Sequence, residues 1–183
     1  VSEADFHIHQ NAAEYVLFMW QTEDLLRACK FDEDAVMEVI SSSNEISAEK
    51  ESALRAWYAS IIQRMQAEGI TEHGHLNEVH ELVLELFYLH NTLLNVLQDK
   101  SYEDVYQKAA FVIKEYRERS DQRHSNDVEV CFHALYMKIL LKLKGIPISA
   151  DTEEAMKRFR DMLALLSTQF KRMKEGDLNF GMN

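Results

Sequence analysis

Apolar residues recur along this chain in steps of three and four, the repeat that sets one face of an α-helix against a core. The pattern predicts six long helices and one short one. The first covers about 3–29, with Ile8, Ala12, Tyr15, Met19 and Leu26 on its stripe, and a short helix follows at about 33–41. The third, about 48–68, begins after Ser47 and presents Leu54, Trp57, Ile61 and Met65. The fourth, about 76–98, carries Val79, Val83, Leu86, His90, Leu93 and Leu97. A fifth helix is expected after Ser101, with Asp104 at capping-box spacing, and a sixth after Asn126, with Glu129 three residues on. The last spans about 151–175 with Ala155, Phe159, Met162, Leu166 and Phe170 on its stripe.

Glycine and proline agree with that division. Gly69, Gly145 and Gly176 each follow a long periodic segment, where a left-handed helix cap favours glycine, and Pro147 lies two residues past Gly145. No segment alternates with period two. Helices of 20–25 residues are about 30–37 Å long at 1.5 Å per residue, and short loops between them favour antiparallel neighbours. The fold class is therefore all-α, a helical bundle, read as one domain over residues 1–183 with 177–183 as a loosely held tail. Trp20 and Trp57 are expected in the core.

Composition narrows the class of function. Hydrophobic residues make up 46% of 183, enough for a packed core without disulfides or metal. Cys29 and Cys131 are the two cysteines, read as small buried residues in a reducing compartment, and no basic segment leads into an apolar run as a signal peptide would. The expected location is cytoplasmic. The longest apolar run, Tyr15 to Trp20, is too short to span a bilayer. The net charge of −11 argues against a nucleic-acid partner, because phosphate binding needs a basic face. The charge is uneven: residues 1–104 carry 20 Asp and Glu against 6 Lys and Arg, and residues 105–183 carry 11 against 14. Oppositely charged helices within one domain explain this, as does an acidic face meeting a basic face between two copies.

Three stretches carry a resemblance. Glu14-Tyr15-Val16-Leu17-Phe18-Met19-Trp20-Gln21-Thr22-Glu23-Asp24, then Gly74-His75-Leu76 onward to Leu94, and Cys131-Phe132-His133-Ala134-Leu135-Tyr136 resemble an uncharacterised bacterial helical family of about this length, a domain of unknown function. The resemblance covers nearly the whole chain. It implies a cytoplasmic all-α protein and brings no activity, ligand or catalytic residue.

Candidate chemistry is sparse. His7 and His9 point about 200° apart on a helix and cannot share a metal there. Glu72-His73-Gly74-His75 holds one Glu-x-x-His, the spacing that di-iron bundles use twice; it reads as a surface turn, with a metal site as the sharper alternative. His80-Glu81 opens like a zinc-protease motif, but Leu84 stands where the second histidine belongs. No phosphate-cradling loop or nucleophile elbow occurs. His90 falls on an apolar stripe, and Glu129 and His133, four apart, share a helix face. They read either as one satisfied core histidine plus a surface pair, or as three groups around a polar cavity.

The first helix is the most unusual. Tyr15 to Trp20 is apolar in every direction, yet Glu14, Gln21, Glu23 and Asp24 flank that run. A buried carboxylate needs a partner. These groups either pair with Arg or Lys or with solvent at the bundle ends, or line a polar pocket beside Trp20. The candidate pocket set is thus Glu14, Trp20, Gln21, Glu23, Asp24, His90, Glu129 and His133. No metal or cofactor is called for. The sequence favours a cytoplasmic protein acting through protein contacts or homo-oligomerisation, with no nucleic-acid or membrane partner. The alternative is a small-molecule- or metal-binding bundle, enzymatic or not, with its pocket beside the first helix.

Overall fold

The computed structural model describes residues 11–42 and 47–176. The seven helices among them are α1 Ala12–Ala28, α2 Glu33–Ser41, α3 Ala48–Ala67, α4 Asn77–Asn95, α5 Lys100–Arg119, α6 Asp127–Leu143 and α7 Ala150–Lys174. Among the described residues there is no strand, and no helix is long and apolar enough to cross a membrane. The protein is all-α. The segment before Asn11, with His7 and His9, and the tail from Asp177 lie outside the described residues.

Helix ends follow local chemistry. The first N–H groups of a helix have no intrahelical acceptor and take one from a side chain. At α6 the Asn126 carboxamide accepts from the Glu129 N–H at 3.0 Å, and the Glu129 carboxylate accepts from the Asn126 N–H at 2.9 Å. This is the expected capping box, complete on both sides. At α5 the structure corrects the expectation. The cap is Asp99, which accepts from the Tyr102 N–H at 3.1 Å, while Ser101 lies inside the helix and donates its hydroxyl to Asp99. A carboxylate is available two residues before the serine, and its charge suits the positive helix start better than a hydroxyl does. Helix α6 stops as expected at Gly145. The glycine holds φ +67°, and the Ile146 N–H donates back to the Leu141 carbonyl at 3.0 Å.

The described residues gather into two compact units, one formed by residues 18–81 and the other by residues 11–17 with 82–176. In the first, α2 packs on α3. Leu26, Val36, Met37, Ile61, Met65 and Leu76 are buried there. In the second, α5, α6 and α7 pack on one another pairwise. Its interior holds Leu86 and Leu93 from α4, Tyr102 and Ile113 from α5, Phe132 from α6, and Phe159, Leu166 and Phe170 from α7. Two polar side chains of α7 are buried with purpose. Ser167 accepts the Ala13 N–H at the start of α1 at 3.0 Å, and Gln169 donates to the Asp99 cap at 3.2 Å.

The tryptophans depart from expectation. Trp20 and Trp57 are both partly exposed rather than fully buried. Trp57 stacks on Phe18 at 5.8 Å and meets Tyr58 edge-on. Tyr15, Leu17, Phe18 and Trp20 are likewise only partly buried, so α1 buries Val16 and Met19 rather than its whole circumference.

Two substitutions test this account. Phe132→Ala, at a fully buried ring, should cost about 3–5 kcal/mol in denaturant unfolding. Asn126→Ala removes half of the capping box and should cost about 0.5–2 kcal/mol. Equal, near-zero losses from both would contradict the packing and the cap alike.

Candidate functional site

The acids of α1 do not act together. Glu14 and Gln21 are exposed. Asp24 pairs with Arg27 at 2.9 Å. Glu23 alone is fully buried. Its partners come from the loop before α4. One oxygen accepts the Leu76 N–H at 3.0 Å and the other meets His75 Nδ1 at 2.5 Å. The His75 ring then stacks on Trp20, with centroids 4.4 Å apart and planes 13° from parallel. Arg27 holds the same loop by its backbone, donating to the carbonyls of Ile70 and Gly74. So the Glu72–His75 stretch is a loop whose histidine is clamped to α1. Among the described residues no group of three or more His, Cys, Asp or Glu is placed to hold a metal ion.

The three groups expected around one cavity are also separated. His90 is buried, its Nδ1 2.8 Å from the Tyr102 hydroxyl, with the Tyr106 ring edge-on at 5.0 Å. Tyr106 in turn donates to Asp127 at 2.6 Å, and Asp127 pairs with Arg117. Glu129 is occupied by its capping box. His133 bonds to the Tyr116 hydroxyl through Nδ1 at 2.9 Å. Burial depresses the pKa of His90, with Asp127 opposing, and depresses that of His133, with Asp121 opposing. Burial pushes the Tyr116 phenol up to about 12, and Asp121 adds to the rise.

Of the predicted set, His133 lines a cleft in the second unit. This space of about 470 Å³ lies between the end of α5, the middle of α6 and the start of α7. Met137, Leu141, Ile148 and Met156 form apolar wall, and Tyr116, Ser120, Asp121, His133, Lys138 and Thr152 bring polar atoms. Lys138 is largely buried and pairs with Glu153. The sequence reading missed Lys138, Ser120, Asp121 and Thr152. A partial signal was present, since His133, Met137 and Leu141 recur every four residues on one face of α6. Nothing in a single helix says that two other helix ends will close over that face.

Seven helices, without strand among the described residues, and with an open cleft define an all-α protein. Residues 4–177 match the model of a family described as a domain of unknown function (DUF4924), and the chain belongs to that family. No curated protein and no solved structure matches it.

The lowered histidine pKa values set a pH dependence. A histidine held below its unfolded value is neutral in the folded chain, so protons bind the unfolded chain preferentially as pH falls. The stability present above about pH 6.5 should therefore decline as pH drops towards the folded values. Urea midpoints at pH 7.5 and 5.5 should show this fall, and His90→Gln should remove His90's share of it. An unchanged slope in that variant would place the titration elsewhere.

Proposed function

We propose that this protein acts through protein contacts, with a second copy of the same chain as the first partner, in the cytoplasm. The observation that carries this reading is the exposure of large apolar side chains in the second unit: Tyr88 at 66%, Val96 at 72%, Phe111 at 72% and Leu143 at 75%. A lone exposed apolar residue is ordinary, but a phenylalanine and a leucine with three quarters of their surface in water lose little by gaining a partner. Charge supports the choice of partner. An acidic amino-terminal half and a basic carboxy-terminal half let two identical chains meet with opposite signs facing. Helix α7 ends in Lys171, Arg172 and Lys174. Two free thiols, Cys131 buried and Cys29 partly so, support a reducing compartment.

Sedimentation velocity over a range of protein concentrations tests the reading. A dimer or larger species is expected, weakening as salt rises because exposed charges are screened. Phe111→Ser with Leu143→Ser should shift the distribution to monomer while leaving the helix content unchanged. A wild-type chain that is monomeric at every concentration overturns the proposal.

A further inference from the structure

The cleft between α5, α6 and α7 has a composition that points to one kind of ligand. Its volume, about 470 Å³, lies within the range of about 300–1,000 Å³ usual for small-molecule sites. Apolar side chains make one part of the wall: Met137 and Leu141 from α6, Ile148 before α7, and Met156 within it. The other part is rich in donors. Tyr116 keeps its proton, since burial raises its pKa, and can donate it to His133 Nδ1. With the phenol donating, the imidazole's remaining proton sits on Nε2. The Ser120 hydroxyl accepts from the Gln122 N–H at 3.3 Å and keeps its own hydrogen to give. The Lys138 ammonium spends one of its three hydrogens on Glu153 and has two left.

The charges around this donor set favour an anion. Lys138, Lys142 and Arg160 all act on Glu153, holding its carboxyl below the usual range, the Lys138 hydrogen bond foremost. Lys138 is the cation of the cleft wall, Lys142 and Arg160 help to offset its partner Glu153, and Asp121 is the carboxylate of the wall. Asp121 is exposed to water and bonded to Gln122, so its repulsion is well screened.

We propose that this cleft binds a small amphiphilic monoanion, a carboxylate or sulfonate on an aliphatic or aromatic body, with its acidic group on Lys138 and His133 and its body against Met137, Leu141 and Met156. The proposal is independent of self-association, which engages Phe111 and Leu143, neither of them a cleft residue.

The probes are 1-anilinonaphthalene-8-sulfonate, a fluorescent monoanion, and its uncharged relative N-phenyl-1-naphthylamine. Titrated into the native chain, the sulfonate should saturate at one molecule per chain. Thr152→Trp, which fills the space, and Met137→Asp, which puts a carboxylate on its wall, should each abolish that binding. Lys138→Met should weaken the sulfonate about tenfold, the worth of one charge-assisted hydrogen bond, and leave the neutral probe within about twofold. Phe111→Ser should bind as the wild type does. Circular dichroism identifies a variant that has lost its helices; if Thr152→Trp is one, Met137→Asp decides. Binding that does not saturate at one per chain, survives both cleft variants, or weakens equally for the two probes after Lys138→Met overturns the proposal.

Discussion

A carboxyl group taken out of water needs hydrogen-bond partners to replace the lost hydration. Glu23 is such a group, with no solvent contact, and its two oxygens divide the task between the Leu76 N–H and the His75 ring. Both donors come from one loop. That loop must therefore lie against α1 for Glu23 to be satisfied, and the placement decides where α4 begins. Arg27, one turn further along α1, acts in the opposite polarity. It supplies donors to the Ile70 and Gly74 carbonyls that the loop leaves open. The Trp20 ring covers His75 from the side. Acid, base and aromatic on a single helix thus hold a connection with no secondary structure of its own.

Buried polar groups do similar work elsewhere. Ser167 caps a helix distant in sequence, and Gln169 reaches the Asp99 cap. Each is a polar residue on a stripe that periodicity alone would assign to apolar packing. The His90–Tyr102 pair and the Tyr106–Asp127–Arg117 chain follow the same logic, with every ring or carboxylate given a partner as burial requires. Such networks cost more to break than their individual bonds suggest, because a lone survivor is left desolvated.

Helices were legible because their signals are local. Asn126 and Glu129 form their capping box within four residues, and Gly145 ends α6 within two. Where two local signals competed, as Asp99 and Ser101 do before α5, the carboxylate prevailed. The turn between α1 and α2 carries no glycine, and Lys30 and Phe31 adopt positive φ there, so no composition cue marked it. The candidate site was less legible because its parts are distant in sequence. Glu23 meets a histidine 52 residues on, a pairing that no spacing rule anticipates. His90, Glu129 and His133 were grouped by residue type, yet each is satisfied by a neighbour of its own: a tyrosine, a cap and another tyrosine.

Those separate partners also decide what each histidine is free to do. His90 is enclosed by Tyr102, Tyr106 and Phe87, so its ring serves the interior. His75 spends one nitrogen on a buried carboxylate and a face on Trp20, which fits it to holding a loop. His133 differs. Its partner Tyr116 occupies only Nδ1, and the same ring borders open space shared with Lys138 and four apolar side chains. An imidazole at a cleft wall that is already fixed at one nitrogen is oriented before any ligand arrives, so binding need not order it. The same holds for Lys138, whose long stem is largely buried and whose ammonium is already held by Glu153.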